Sequence, residues 1–179
     1  MAIPSKIASE NQTLSAGSGN MPISAEEHHH PPPGKDKFAF LKELTSAEEY
    51  HGEKTFYQHL FNVYSYLQSQ SLPQEVCDAG LFHSVYGTEF YHFQSASITR
   101  DVVRGYIGEY AEELAYIFCG LRKDRFGSIL NNTPGWGDRQ HLDLCRLEHA
   151  NFWDGKEDRD VQRQMDLLSE TIARLESKG

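Results

Sequence analysis

The chain has 179 residues, of which 39% are hydrophobic and 24% charged, and these values predict one globular domain with tails. Its formal net charge of -9 argues against non-specific binding to the phosphates of DNA or RNA, which needs clustered Lys and Arg. No apolar run approaches the roughly 20 residues that span a bilayer, and the start of the chain lacks a secretory pattern, so no membrane partner is expected and the cytoplasm is the expected compartment.

The first segment of the chain, residues 1–36, is predicted to be a disordered low-complexity arm. It is rich in Ser, Asn, Gly and Pro, and it contains three consecutive His followed by three Pro. Such a composition buries too little apolar surface to offset the entropy of ordering. The His run could bind a metal, but it is more typical of low-complexity sequence. A single helical domain is expected over residues 37–179.

The domain opens with helical patterns. A short apolar face over residues 38–44 precedes a helix whose apolar positions repeat every three or four residues, at Phe56, Leu60, Val63 and Leu67. This helix must stop before Pro73, since proline cannot continue a helix and favours the first turn of a new one. The next helix has one face marked by Val76, Ala79, Gly80 and His83.

The later patterns are also helical. A loop over residues 87–97 leads to helices over residues 99–106 and 109–121, and the second of these begins with glutamates that favour its positive end. A turn-rich loop over residues 131–137 precedes a helix over residues 138–153, and an amphipathic helix over residues 157–176 ends the domain. No strand pattern of comparable length is present, so we expect an all-α bundle of about six to seven helices.

The three cysteines are predicted to be buried free thiols. Cys77, Cys119 and Cys145 lie in apolar helical patterns at spacings that match no zinc motif. A disulfide framework is not expected either.

Two histidines are the first candidates for chemistry. His59 follows Phe56 by three residues and precedes Val63 by four, and His83 follows Ala79 by four, so both project from inward faces of consecutive helices. Two such imidazoles can converge on one metal ion. The alternative is that each is a hydrogen-bonded core residue, and periodicity alone does not decide between the two.

Longer segments resemble a known superfamily. GEKTFYQH at residues 52–59 looks like the segment of HD-domain proteins, including the alarmone (ppGpp) hydrolases, that presents the first metal-binding His. AGLFH at residues 79–83 looks like the approach to the His-Asp doublet, and SITRD at 97–101 and IGEYAEEL at 107–114 resemble the helices that follow. The resemblance covers roughly residues 50–151 and implies an HD-domain-like helical bundle.

A closer similarity involves AGLFHSVYGT at residues 79–88, which resembles the hallmark of a little-studied family of HD-like domains of unknown function. The departures from the hydrolase pattern are informative. Ser84 stands where the HD doublet has Asp, and Gly87 and Thr88 stand where the alarmone hydrolases carry an acidic pair. Since a hydroxyl does not replace a carboxylate as an anionic ligand, the sequence predicts a remodelled metal site.

The resemblance implies a divalent ion, Fe, Mn or Zn, held by His59, His83 and a carboxylate from a later helix. Glu148 is the first choice for that carboxylate, because with Asn151 it forms an i, i+3 pair that could face the histidines, and Asp143 is the second. Both carboxylates could equally belong to a solvated helix face.

Substrate contacts are predicted close to the metal site. The candidate residues are Ser84, Tyr86, Thr88, Arg100 and Asn151. Arg100 and Arg104, one helical turn apart, could reach a phosphate or carboxylate, or these arginines could pair with nearby acidic side chains such as Asp101 or Glu109. Gly87 could contact substrate or simply cap a helix.

Two functions follow as hypotheses. The first is an HD-like metal-binding protein that acts as a hydrolase or oxygenase on a small anionic metabolite. The second is a catalytically inactive HD-like domain that serves as a binding or interaction module. The sequence makes no prediction of the oligomeric state.

Overall fold

The computed structural model describes residues 36–45, 55–87, 98–155 and 159–178. Within these ranges the chain is all-α, as predicted, and contains eight helices and no strand. The helices are α1 (Lys37–Thr45), α2 (Phe56–Ser69), α3 (Gln74–Phe82), α4 (Arg100–Ile107), α5 (Glu109–Gly120), α6 (Arg125–Leu130), α7 (Asp138–Trp153) and α8 (Arg159–Glu176). The predicted arm was residues 1–36, and its residues 1–35, with the His run, lie outside the described residues.

The count of six to seven helices was too low because α6 was missed. This helix has only six residues, too few to show a helical period. It begins after Asp124, which has a left-handed backbone (φ 52°) and accepts a hydrogen bond from the Gly127 backbone N–H at 3.1 Å.

Local signals account for most of the other helix boundaries. Thr55 caps α2 by accepting a hydrogen bond from Gln58 N at 3.2 Å, and Thr99 caps α4 by accepting one from Val102 N at 3.3 Å. Gly108 adopts a positive φ of 82° between α4 and α5, which ends one helix and begins the next. Pro73 immediately precedes α3.

The central helix is α3, which packs against α2, α4, α5 and α7. All its residues from Val76 to Phe82 are buried. Gly80 permits the close approach of α2, because a Cβ atom there would lie 2.4 Å from Leu67 Cδ1 and 3.3 Å from Val63 Cγ1. The helix that carries His59 therefore touches the helix that ends just before His83.

The three cysteines are free and buried, which confirms the sequence prediction. No helix among the described residues has the length and apolarity needed to cross a membrane.

Candidate functional site

The site is centred on His59 and His83. His59 lies in α2, whereas His83 follows α3 as its C-cap residue, so the prediction that His83 lies within the helix was wrong by one residue. The two Nε2 atoms are 3.2 Å apart, and the ring planes meet at 75°. The two imidazoles thus converge, as the inward faces of their helices predicted.

The opposite ring nitrogens fix the tautomer of each histidine. His83 Nδ1 lies 2.7 Å from the carbonyl oxygen of Gly80, and His59 Nδ1 lies 2.9 Å from Asp154 Oδ2. A carbonyl and a carboxylate accept hydrogen bonds but do not donate them, so both Nδ1 atoms carry the proton. In the neutral rings both Nε2 atoms then have bare lone pairs, and these face each other. A cation beside them, either a proton or a metal ion, would remove the repulsion between the two lone pairs.

Asp154 is itself held in place. It is the C-cap residue of α7, and its Oδ1 accepts a hydrogen bond from Asn62 Nδ2 at 2.9 Å. Asn62 lies three residues after His59 on α2. The side chains of His59 and Asp154 are 18% and 10% exposed, so this edge of the site is close to solvent.

His83 is fully enclosed by comparison. Burial, followed by the charge of His59, lowers the pKa of His83 from 6.5 to about 3. His83 is therefore neutral at pH 7, which is the form of imidazole that binds a metal ion.

The preferred carboxylate, Glu148, is buried beside the pair but is engaged by Arg125. The Arg125 Nε atom lies 3.0 Å from each carboxylate oxygen of Glu148. Burial raises the pKa of the Glu148 carboxyl, and Arg125 opposes that rise. Asn151 donates to Glu148 at 3.3 Å, which is the predicted i, i+3 pair, and its side chain also hydrogen-bonds His83. Glu148 is thus connected to the histidines through an amide.

The second-choice carboxylate, Asp143, belongs to another cluster. It accepts hydrogen bonds from Tyr110 Oη at 2.8 Å and from Arg146 Nη1 at 3.1 Å. Five residues along an α-helix correspond to a rotation of roughly 140°, so Asp143 and Glu148 cannot face the same point. The structure gives no support to Asp143 as a ligand beside His59 and His83.

Across the described ranges, no three side chains of His, Cys, Asp or Glu converge closely enough to hold a metal ion on their own. The arrangement brings two imidazole nitrogens together, and the carboxylate of Glu148 is paired with Arg125.

The predicted anion-binding residue, Arg100, lies in a separate network of charges. Its Nε donates to Glu112 at 2.6 Å, and its Nη2 donates to Glu112 and Glu113 at 2.7 and 2.5 Å. Tyr86 also donates to Glu112, at 2.8 Å, and the Glu112 side chain is 0% exposed. Arg100 therefore pairs with acidic side chains, as the alternative held, but with Glu112 and Glu113. Asp101, one of the two partners suggested for the arginines, pairs with Arg104 at 3.2 Å.

The other candidate substrate contacts follow α3. Ser84 is buried in the turn after His83, and its carbonyl accepts a hydrogen bond from the Gly87 backbone N–H at 3.0 Å. Gly87 has a positive φ of 79°, which is how a glycine ends such a segment. Thr88 lies outside the described residues.

Three residues of the site were missed by sequence reasoning: Asn62, Arg125 and Asp154. Asp154 lies 95 positions from His59, and nothing local in the sequence connects them. Asn62 could have been found, since it shares a helix face with His59 at i, i+3 spacing. Arg125 opens the short helix that was not predicted.

Comparison with known families matches a central segment of the chain. A DUF6817 domain is found over residues 40–123. DUF6817 is a domain of unknown function, and the matched span carries His59, His83 and Arg100. Arg125, Glu148, Asn151 and Asp154 lie beyond it, so the matched span contains only part of the site. No curated protein and no solved structure matches the chain.

Proposed function

We propose that the protein is an HD-like metal-binding protein in which His59 and His83 hold one divalent ion, and that it acts as a hydrolase on a small anionic metabolite. The observation that carries the proposal is the pair of Nε2 atoms at 3.2 Å with both Nδ1 protons engaged on the far side of the rings. A cation bound to both Nε2 atoms would offset the repulsion between their lone pairs.

The distance fits a shared metal ion. Two nitrogen ligands at about 2.0–2.1 Å from a tetrahedral centre lie about 3.3 Å from each other. The observed separation of 3.2 Å between His59 and His83 is close to that value. Zn, Mn and Fe all accept imidazole ligands, so the distance does not choose among them.

The hydrogen-bond acceptors on the Nδ1 side of the two histidine rings also fit a metal site. Histidines that bind metals donate their other ring N–H to a carboxylate or a backbone carbonyl, which fixes the ring and raises its basicity. His59 has the carboxylate of Asp154 and His83 has the carbonyl of Gly80. Both kinds of support are present in one site.

A bound ion of this kind would lower the pKa of a water molecule toward neutrality and so supply a nucleophile for hydrolysis. The residues of the chain have defined tasks around it. Asp154 orients His59, Gly80 orients His83, and Asn151 positions His83 relative to Glu148. The resemblance to HD-domain proteins over residues 52–59 and 79–88 supports the hydrolase class, with an oxygenase as the neighbouring reaction class when the ion is Fe. The free thiols fit the cytoplasm, where thiols stay reduced.

The test is metal content and affinity. Purified protein, and protein reconstituted with Mn, Fe or Zn, should contain close to one ion per chain by elemental analysis. His59→Ala should lose that ion. His149→Ala is the matched control, since His149 contacts Tyr66 rather than the histidine pair. Absence of a stoichiometric ion from the reconstituted wild-type protein would exclude the proposal.

A second candidate is a non-catalytic binding module built on the same fold. The observation that favours it is the Arg125–Glu148 pair, which offsets the buried carboxylate without any metal ion. In that case a proton would join the two Nε2 atoms. Retention of full stability and of the histidine geometry after exhaustive chelation, with no ion taken up afterwards, would support this candidate over the first.

A further inference from the structure

The guanidinium of Arg125 is only partly used by the protein. Its Nε is anchored on Glu148 at 3.0 Å. Its two Nη groups make no hydrogen bond to any residue in the described ranges, although only 16% of the side chain is exposed. An enclosed guanidinium with unused donors is unfavourable unless a ligand or water completes it.

Other arginines of the protein show the contrast. The Nη groups of Arg146 donate to Asp143 at 3.1 Å and to Glu176 at 2.7 Å, and the Arg146 side chain is 17% exposed. The Nη2 group of Arg100 is shared between two glutamates. Arg125 is as enclosed as Arg146 but has its terminal donors available.

Arg125 lies next to the histidine pair. Its guanidinium carbon stands 4.4 Å from the centre of the Phe118 ring, and the Phe118 ring packs edge-to-face on His83 with centroids 5.4 Å apart. Asn151 connects Glu148, the anchor of Arg125, to His83. The aromatic contact and the Glu148 anchor fix the orientation of the guanidinium, which reduces the entropy lost when a ligand binds.

We propose that the Nη groups of Arg125 bind an oxyanion of the substrate beside His59 and His83, so that the substrate class is a small phosphate- or carboxylate-bearing metabolite. This inference rests on the proposed function and names its substrate class. The planar fork of an arginine matches both oxyanions in a bidentate manner. Glu148 already offsets the positive charge of Arg125, and an ion held by His59 and His83 would supply the positive charge that the bound anion needs.

The proposal moves the anion-binding role from Arg100 to Arg125. Arg100 matched the HD-like pattern but has its charge offset by Glu112 and Glu113. The Nη groups of Arg125 contact no acidic side chain in the described ranges, and Arg125 lies beside the candidate metal ligands.

The experiment is a calorimetric titration of the Mn-reconstituted full chain with inorganic phosphate and, in a separate arm, with acetate. Arg125→Lys keeps the positive charge that pairs with Glu148 but lacks the two Nη groups. The dissociation constant of the oxyanion should therefore rise by about tenfold or more. The Mn affinity should be unchanged. Arg146→Lys, the same substitution at an equally enclosed arginine, should bind the oxyanion like the wild type. The arm with the tighter binding identifies phosphate or carboxylate.

If Arg125→Lys does not fold, the double variant Arg125→Met with Glu148→Gln removes the pair together and should also lose the oxyanion. Equal affinity of wild type and Arg125→Lys, or no binding of either anion by the Mn-loaded wild type, overturns the proposal. Binding of an anion that depends on Arg125 without any uptake of Mn would instead support the anion site and exclude the metal centre.

Discussion

The Nε2 atom of His59 lies 3.2 Å from the Nε2 atom of His83, and the other nitrogen of each ring is held by an acceptor, Asp154 Oδ2 at 2.9 Å or Gly80 O at 2.7 Å. Each ring can therefore keep its only neutral-state proton on the far side, and the two lone pairs meet. Charge balance at this one contact is the reason to expect a cation there.

Replacement of Asp154 by Asn should weaken metal binding without removing a ligand. The amide keeps the size of the side chain but no longer fixes the His59 tautomer, and loss of such a supporting carboxylate typically costs about 10- to 100-fold in metal affinity. The measurement is a competition titration against a chromophoric chelator. Asp166→Asn on the exposed face of α8 is the control and should retain wild-type affinity. An unchanged affinity in Asp154→Asn would argue that His59 does not bind a metal through Nε2.

Acid should destabilise the metal-free protein through His83. Burial lowers its pKa to about 3, so between pH 6.5 and 3 the unfolded chain binds a proton that the folded chain does not. Stability is therefore complete above the unfolded pKa and falls as the pH falls, by up to about 1.4 kcal/mol per pH unit for this one group. Urea unfolding at pH 7.5, 5.5 and 4.5 gives the slope. The slope should be smaller in His83→Gln, and identical slopes would show that His83 is protonated in the fold.

Two helical glycines should respond oppositely to alanine. At Gly80 a Cβ would lie 2.4 Å from Leu67 Cδ1, whereas at Gly120 it would meet nothing within 4 Å. Overpacking costs about 1–3 kcal/mol, and the better helix propensity of Ala offsets about 1 kcal/mol of it, so Gly80→Ala should lower the free energy of unfolding by up to about 2 kcal/mol. Gly120→Ala should be neutral or stabilising. Chemical denaturation of both variants provides the comparison, and equal effects would mean that α2 and α3 are less closely packed.

Adjacent glutamates on α5 should differ in their contribution to stability. Glu112 is 0% exposed and accepts from Arg100, Arg104 and Tyr86, whereas the side chain of Glu113 is 42% exposed. Glu112→Gln should cost about 2–3 kcal/mol because charge-assisted hydrogen bonds are lost in the interior. Glu113→Gln should cost less than about 1 kcal/mol, since exposed ion pairs contribute little. Thermal unfolding of the pair tests this, and a similar loss in both would contradict the difference in burial.

Much of the fold was predictable because its signals are local. The bounds of α7, Asp138–Trp153, follow from apolar spacing and a turn-rich loop before it, and Pro73 sets the start of α3. The short helix α6 was not predictable, since six residues show no period and its Asp124 cap is left-handed.

The candidate site was likewise predictable where its signals are local and not where its contacts join distant residues. Inward periodicity placed His59 and His83 together, and i, i+3 spacing placed Asn151 on Glu148. The contacts that define the chemistry join distant positions: Asp154 reaches back 95 residues to His59, and Arg125 pairs across 23 residues with Glu148. No periodicity connects such residues, and only the packing of α2, α3, α6 and α7 brings them together.

The most direct measurement is anomalous diffraction from crystals of the protein grown with Zn. We expect one anomalous peak within bonding distance, about 2.0–2.1 Å, of both His59 Nε2 and His83 Nε2. The two Nδ1 atoms should remain hydrogen-bonded to Asp154 Oδ2 and to the carbonyl oxygen of Gly80. A histidine pair that stays 3.2 Å apart with no anomalous peak beside it would contradict the metal site.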